Sequence, residues 1–305
     1  MPVWMVKRIM YSLLTLLLIS IVVFSLVRLT GDPVLLFLPP DAPAEEVDRV
    51  RRALGFNDPL LFQYARFLRA ALTGDLGFSL KHQESAAGVV ARRIPATLEL
   101  ATASMLLTVA IALPAGIISA LRRNSWLDRL VMAGIVFGQS MPSYWIGIML
   151  ILLVSVQWQL LPPFGRGTVA HLIMPTVTLA LFFTARIARL TRSGMLNVLR
   201  TDYVRTARAK GLPDWTVILK HALRNAALPI VTIIGIEFGT LLGGTVITET
   251  VFAWPGLGRL AVDAIYSRDY PVVQTVVLLI SAMFVSINFV VDVLYRWIDP
   301  RVELG

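Results

Sequence analysis

Long apolar blocks separated by short polar stretches dominate the chain. A membrane span needs roughly 20 mostly apolar residues. Six stretches qualify: Ile9–Leu29, Thr97–Leu121, Leu127–Val156, His171–Leu190, Ala226–Thr248 and Val272–Tyr295. The third exceeds that length and contains Pro142, so tilting and kinking are expected there. A signal peptide is the competing reading of the first block, which follows Lys7 and Arg8. The block outruns a signal core and no small-residue cleavage site follows it, so it reads as a retained span. The pattern predicts one all-α integral membrane domain over residues 1–305, with six transmembrane helices and no internal repeat.

The loops predict the orientation. The loop after the second span carries Arg122, Arg123 and Arg129 against Asp128. The region between the fourth and fifth spans carries Arg186, Arg189, Arg192, Arg200, Arg205, Arg208, Lys210, Lys220 and Arg224, opposed by Asp202 and Asp214. Basic residues mark cytoplasmic loops, so both termini are expected in the cytoplasm. The long loop 30–96 is then external, with acids and bases nearly balanced. Within it, Leu60–Leu72 predicts a short amphipathic helix, with Gly74 and Gly77 as breakers.

Composition narrows the function classes. Of 305 residues, 56% are hydrophobic, above the 45–50% typical of soluble domains. A net charge of +9 on a soluble chain would suggest nucleic acid. On this one it is accounted for by orientation signals, and no nucleic-acid partner is expected. The absence of cysteine removes disulfides, thiol chemistry and Cys-based metal sites.

The cytoplasmic region 191–225 is the most informative. Leu196, Leu199, Tyr203 and Ala207 recur at helical spacing, with Asn197, Arg200, Arg205 and Arg208 largely elsewhere around the helix. Gly211 can end this helix in a left-handed conformation, with Pro213 beyond. Asp214 can cap a second short helix through Trp215–His221. The resulting elbow is basic, and small along Ala207 and Ala209. Two readings stay open on these grounds: an element fitting a groove on a partner protein, and an interfacial helix lying on membrane lipid.

The run Asp202-Tyr203-Val204-Arg205-Thr206-Ala207-Arg208-Ala209-Lys210-Gly211-Leu212, followed by His221-Ala222-Leu223-Arg224-Asn225 and Leu228-Pro229, resembles the EAA loop of ABC-importer permeases. Gly31-Asp32-Pro33, Gly74-Asp75-Leu76-Gly77, Pro95-Ala96-Thr97-Leu98, Phe252-Ala253-Trp254-Pro255-Gly256-Leu257-Gly258, Arg268-Asp269-Tyr270-Pro271 and Asp299-Pro300-Arg301 agree with its oligopeptide/dipeptide branch. The resemblance is to a B-type subunit and covers nearly the whole chain. The general pattern has Glu-Ala-Ala where Arg205, Thr206 and Ala207 stand, so no role of a conserved Glu carries over.

The resemblance implies a type I importer permease of the bacterial cytoplasmic (inner) membrane, moving peptides or peptide-like small solutes. It implies that Tyr203, Arg205, Thr206, Ala207, Ala209, Lys210 and Gly211 form a coupling helix seated on an ATPase. The implied partners are a second homologous permease, two ATP-binding cassette subunits holding ATP and Mg, and an extracytoplasmic substrate-binding protein. This chain has no G-x-x-x-x-G-K-[ST] phosphate loop and cannot itself hydrolyse ATP. Relatives handle dipeptides, oligopeptides, glutathione, nickel chelates and opine-like compounds, so the resemblance does not single out a cargo. The alternative class is a secondary transporter or channel, which would want more intramembrane charge and repeat-related halves.

Within the spans, Gly235, Gly239 and Gly243 form a small-residue stripe suited to close helix packing. Glu237 lies two residues from Gly235 and from Gly239, about 200° around the helix. A buried acid is a functional candidate because its burial is costly. Two roles are open for it: lining the translocation path, and pairing with a base on the partner permease. His82, His171 and His221 are too scattered for a metal site, and no catalytic residues are expected.

Overall fold

The computed structural model describes residues 3–29, 38, 42–53 and 56–298. The Gly31-Asp32-Pro33 and Asp299-Pro300-Arg301 motifs lie outside the described residues. In chain order the elements are α1 (Val3–Leu29), α2 (Ala44–Ala53), α3 (Leu60–Thr73), β1 (Phe78–Ser79), β2 (Glu84–Ser85), α4 (Ala86–Ala91) and α5 (Ile94–Leu121). Then come α6 (Trp126–Ser140) and α7 (Ser143–Leu150), which runs on as a π-helical stretch, Ile151–Gln157. Next are α8 (Val169–Val198), α9 (Asp202–Ala209) and α10 (Asp214–Thr216), which continues through π-helical Val217–Leu223 into α11 (Arg224–Gly244). The chain ends with α12 (Val246–Val251), α13 (Leu257–Tyr266) and α14 (Tyr270–Ile298). The small antiparallel β1–β2 hairpin is an addition to the all-helical expectation. Two residues per strand leave no alternation for sequence reading to detect.

Five helical stretches are long and apolar enough to cross a membrane: Met5–Leu26, Ala86–Leu121, Val169–Val198, Asp214–Gly243 and Tyr270–Val293. The sixth expected span is a pair, Trp126–Ser140 and Ser143–Gln157, bent by 95°. The break falls before Pro142, whose ring disfavours helix in the residue ahead of it; Met141 is extended, with φ −89° and ψ 137°.

The chain divides into two compact units. The first comprises Met1–Thr97 and Pro255–Val285. Here α3 forms as expected and ends at Gly74, whose φ of 81° few other residues tolerate. One face of α3 packs on α1: the Phe24 ring stands edge-on to Tyr64 at 5.3 Å, and Ser20 shares a hydrogen bond with the Tyr64 hydroxyl at 2.8 Å. A core of Val89, Val90, Leu257, Leu260, Val272 and Val276 joins α4, α13 and the start of α14. The buried Asp269 carboxylate accepts from Ser79, which ties β1 to the segment ahead of α14.

The second unit comprises Leu98–Trp254 and Ser286–Gly305. Its hub is α8, packed against α6, α7, α11 and α12. The hydroxyls of Thr178, Thr184 and Thr191 are buried on α8, and each donates to the carbonyl four residues back. That satisfies polar groups inside the helix, as an apolar surround requires. Gly116 lets α5 lie directly on α8: a Cβ there would stand 2.7 Å from the Ala188 carbonyl oxygen.

Candidate functional site

The region read as a coupling element forms a helical hairpin between α8 and α11, exposed along one side. It is not the continuous helix that the spacing of Leu196, Leu199, Tyr203 and Ala207 suggested. α8 ends at Val198, the chain turns through Leu199–Thr201, and α9 starts afresh at Asp202. The inward residues of α9 are Val204 and Ala207, which pack on Val217 with Val198 and Leu199. Tyr203, Arg205, Thr206, Ala209, Lys210 and Gly211 are exposed. Gly211 has φ 75°, and its N–H donates to the Arg208 carbonyl at 2.9 Å. Pro213 then leads into α10, which does not stop at His221 but runs on into α11. A helix that continues has no terminating signal to read, and the expected separate second helix is absent. Trp215, which the sequence reading left without a role, is 68% exposed on this elbow.

Behind the hairpin lies a buried polar knot that spacing did not reveal. Arg192 on α8 grips Asp128 on α6 with two charged hydrogen bonds, at 2.9 and 2.7 Å. Ser119 on α5 also donates to Asp128 and accepts from Arg192, and the Asn124 N–H donates to the same carboxylate at 2.9 Å. Asn124 holds φ 62°, a conformation that Asn tolerates better than most residues. The partners are 64 residues apart in sequence, so only the packing of α5 and α6 on α8 brings them together.

Glu237 on α11 is 2% exposed, and its Oε1 accepts from Arg186 Nη1 on α8 at 3.0 Å. The base beside it therefore comes from its own chain. Its Oε2 lies buried with no protein donor among the described residues. Gly235 and Gly239 are buried and Gly243 is exposed. A Cβ built on Gly235 would overlap the Val291 side chain on α14, which marks a close helix approach. Two further acids find partners within this unit. Glu249 is fully buried on α12, accepting from Thr245 at 3.0 Å. Glu99 pairs with Arg166 at 2.6 Å, whose guanidinium stands 6.0 Å over the Trp254 ring. Among the described residues no cluster of His, Cys, Asp or Glu could hold a metal ion.

Several helices long and apolar enough to cross a membrane, with an exposed basic hairpin between two of them, define a polytopic membrane protein. Comparison with known proteins makes that specific. Residues 112–304 match the family model described as binding-protein-dependent transport system inner membrane component, and residues 1–101 match its N-terminal companion. The glutathione transport system permease protein GsiC of Escherichia coli strain K12 is 44% identical over 301 residues, covering 98% of each chain. The protein of the same name from Shigella dysenteriae matches equally, at 44% and 98%. Among solved structures, an inward-facing MetNI methionine ABC transporter superposes with a TM-score of 0.61 at 24% identity, covering 69% of this chain and 96% of that one.

This chain belongs to the binding-protein-dependent transport system inner membrane component family. It is a multi-pass permease subunit of an ABC importer, with the type I fold expected from its motifs. Family membership displaces the alternative of a secondary transporter or channel.

Proposed function

We propose that this subunit forms half of a translocation pathway for peptide-like small solutes, with glutathione-sized cargo the first candidate. The cargo reading is supported by the 44% identity to a glutathione permease across nearly the full length. In this reading a related permease supplies the other half. Two ATP-binding cassette subunits supply ATP and Mg chemistry, and a binding protein delivers cargo from outside. Both termini and the α9 hairpin are cytoplasmic.

The observation that carries the coupling role is the exposed face of the hairpin. Tyr203, Arg205, Thr206, Ala209, Lys210 and Gly211 face outward around it. A helix with an aromatic and basic outer face suits a groove on a partner, where Tyr, Trp and Arg dominate binding energy. Trp215 adds a second aromatic anchor. Ala207 acts from the inside, where its small side chain lets α9 lie close to Val217. Gly235 and Gly239 serve helix packing, and the exposure of Gly243 leaves it open to a lipid or subunit contact. Glu237, held by Arg186, positions α11 beside the path.

The test is to reconstitute the purified complex in vesicles and measure ATP-driven uptake of glutathione and a peptide panel, with binding to the delivery protein measured in parallel. Uptake of glutathione or short peptides supports the reading. Uptake that persists without ATPase subunits would overturn the coupling role, and binding restricted to an unrelated solute would overturn the cargo.

A further inference from the structure

The first unit carries a cleft of about 140 Å³ unrelated to the coupling hairpin. Its lining includes Lys81, His82, Arg93, Arg259 and Asp263, over Pro255, Gly256 and Leu260. Lys81 and His82 stand exposed beside the β1–β2 hairpin, while Arg93 is half-buried between α4 and α5. Arg259 and Asp263 lie one turn apart on α13, at 3.8 Å. Lys81 donates to the neutral Ser267 hydroxyl at 3.3 Å and has no carboxylate partner among the described residues. Lys81 and Arg93 thus stand beside an Arg259–Asp263 pair whose charges already offset each other.

This concentration of charge needs a cause. On the proposed orientation both lining segments are external, so these basic residues are not among the cytoplasmic ones that set orientation. The cluster therefore does not serve topology. Anionic lipid attracts basic segments chiefly at the cytoplasmic leaflet, which argues against a headgroup. Pockets that enclose a whole small ligand run to roughly 300–1,000 Å³. At about 140 Å³ this cleft is too small for a complete cargo molecule and suits one acidic side chain.

We propose that the cleft is a socket for an Asp or Glu carboxylate on the docking face of the extracytoplasmic binding protein. Arg93 grips the carboxylate from the wall, and Lys81 steers its approach from the rim. The inference rests on the importer reading and its orientation.

The experiment titrates purified cognate binding protein against the complete complex in nanodiscs, reading stimulated ATP hydrolysis. The Lys81→Glu/Arg93→Glu variant should raise the half-saturating binding-protein concentration about tenfold or more at low salt, since a lost charged hydrogen bond costs about 1.5–3 kcal/mol. Lys81→Glu alone, at an exposed position, should raise it less and flatten its salt dependence. Unchanged half-saturation in both variants, with stimulation intact, overturns the socket and leaves the importer reading standing. Lack of stimulation in the unaltered complex overturns the importer reading itself. A shift that vanishes with neutral lipid reassigns the cleft to a headgroup. A shift that vanishes with carboxyl-amidated cargo reassigns it to cargo.

Discussion

Arg192 holds Asp128 through two parallel hydrogen bonds, from Nε at 2.9 Å and Nη2 at 2.7 Å. This ties the turn between α5 and α6 to α8, ten residues before α9 begins at Asp202. The helix that leads into the hairpin is therefore fastened to α6 shortly before α9 starts.

Asp128→Asn should lower stability by about 3 kcal/mol, because it strands a guanidinium beside a buried amide. Arg192→Lys keeps the charge but loses the fork, and should cost less than Asp128→Asn. Thermal unfolding of the purified protein in nanodiscs measures both. An unchanged midpoint for Asp128→Asn would show that the knot contributes nothing.

Gly235 meets Val291 where α11 approaches α14. Val is stiff at χ1, so it cannot swing clear of an added methyl. Gly235→Ala should cost about 1–3 kcal/mol through overpacking. Adding Val291→Ala should recover most of that loss, a coupling that additive effects would not give. Equal losses in the single and double variants would rule out direct packing as the cause.

The coupling prediction rests on Gly211 at φ 75°, with open space where a Cβ would stand. Strain, not collision, is the cost of substitution there. Gly211→Ala should cost about 1–2 kcal/mol locally, and Gly211→Val more. Gly211→Val should insert normally yet lose ATPase association or ATP-driven uptake. Normal ATPase retention together with normal vesicle uptake would remove the coupling assignment.

The helical spans were legible because burial in lipid forces long apolar runs, and α3 because its amphipathic face ends at a glycine. Gly211 was legible for the same local reason: its left-handed turn is required by one residue's own backbone. The restart of the helix at Asp202 was not, because Tyr203 happens to continue the spacing of Leu196 and Leu199 while Val204 is the residue that turns inward. The knot at Asp128 and the Arg186–Glu237 pair were illegible for a different cause. Their partners lie 64 and 51 residues apart, and charges near span ends look alike until packing selects among them.

Arg186 and Glu237 are unequal partners. The Glu237 side chain is 2% exposed, whereas that of Arg186 is 47% exposed and rests against the Phe182 ring at 5.9 Å. Losing one member of an ion pair harms most when the survivor is buried and uncompensated. Glu237→Gln leaves an arginine that is only half-buried, so the loss should be about 1 kcal/mol, near that of one hydrogen bond. Arg186→Met strands a buried carboxylate and should cost about 3 kcal/mol or more. The double variant Arg186→Met/Glu237→Gln should be more stable than Arg186→Met alone, since removing the stranded charge relieves the larger penalty. Unfolding midpoints of the three variants decide this, and a double variant weaker than both singles would overturn it. Uptake then separates the functional roles. If Glu237 borders the path, Glu237→Gln should change the ratio of cationic to neutral peptide uptake in an assembled complex. An unchanged ratio with a lowered midpoint would leave the pair a purely structural clasp between α8 and α11.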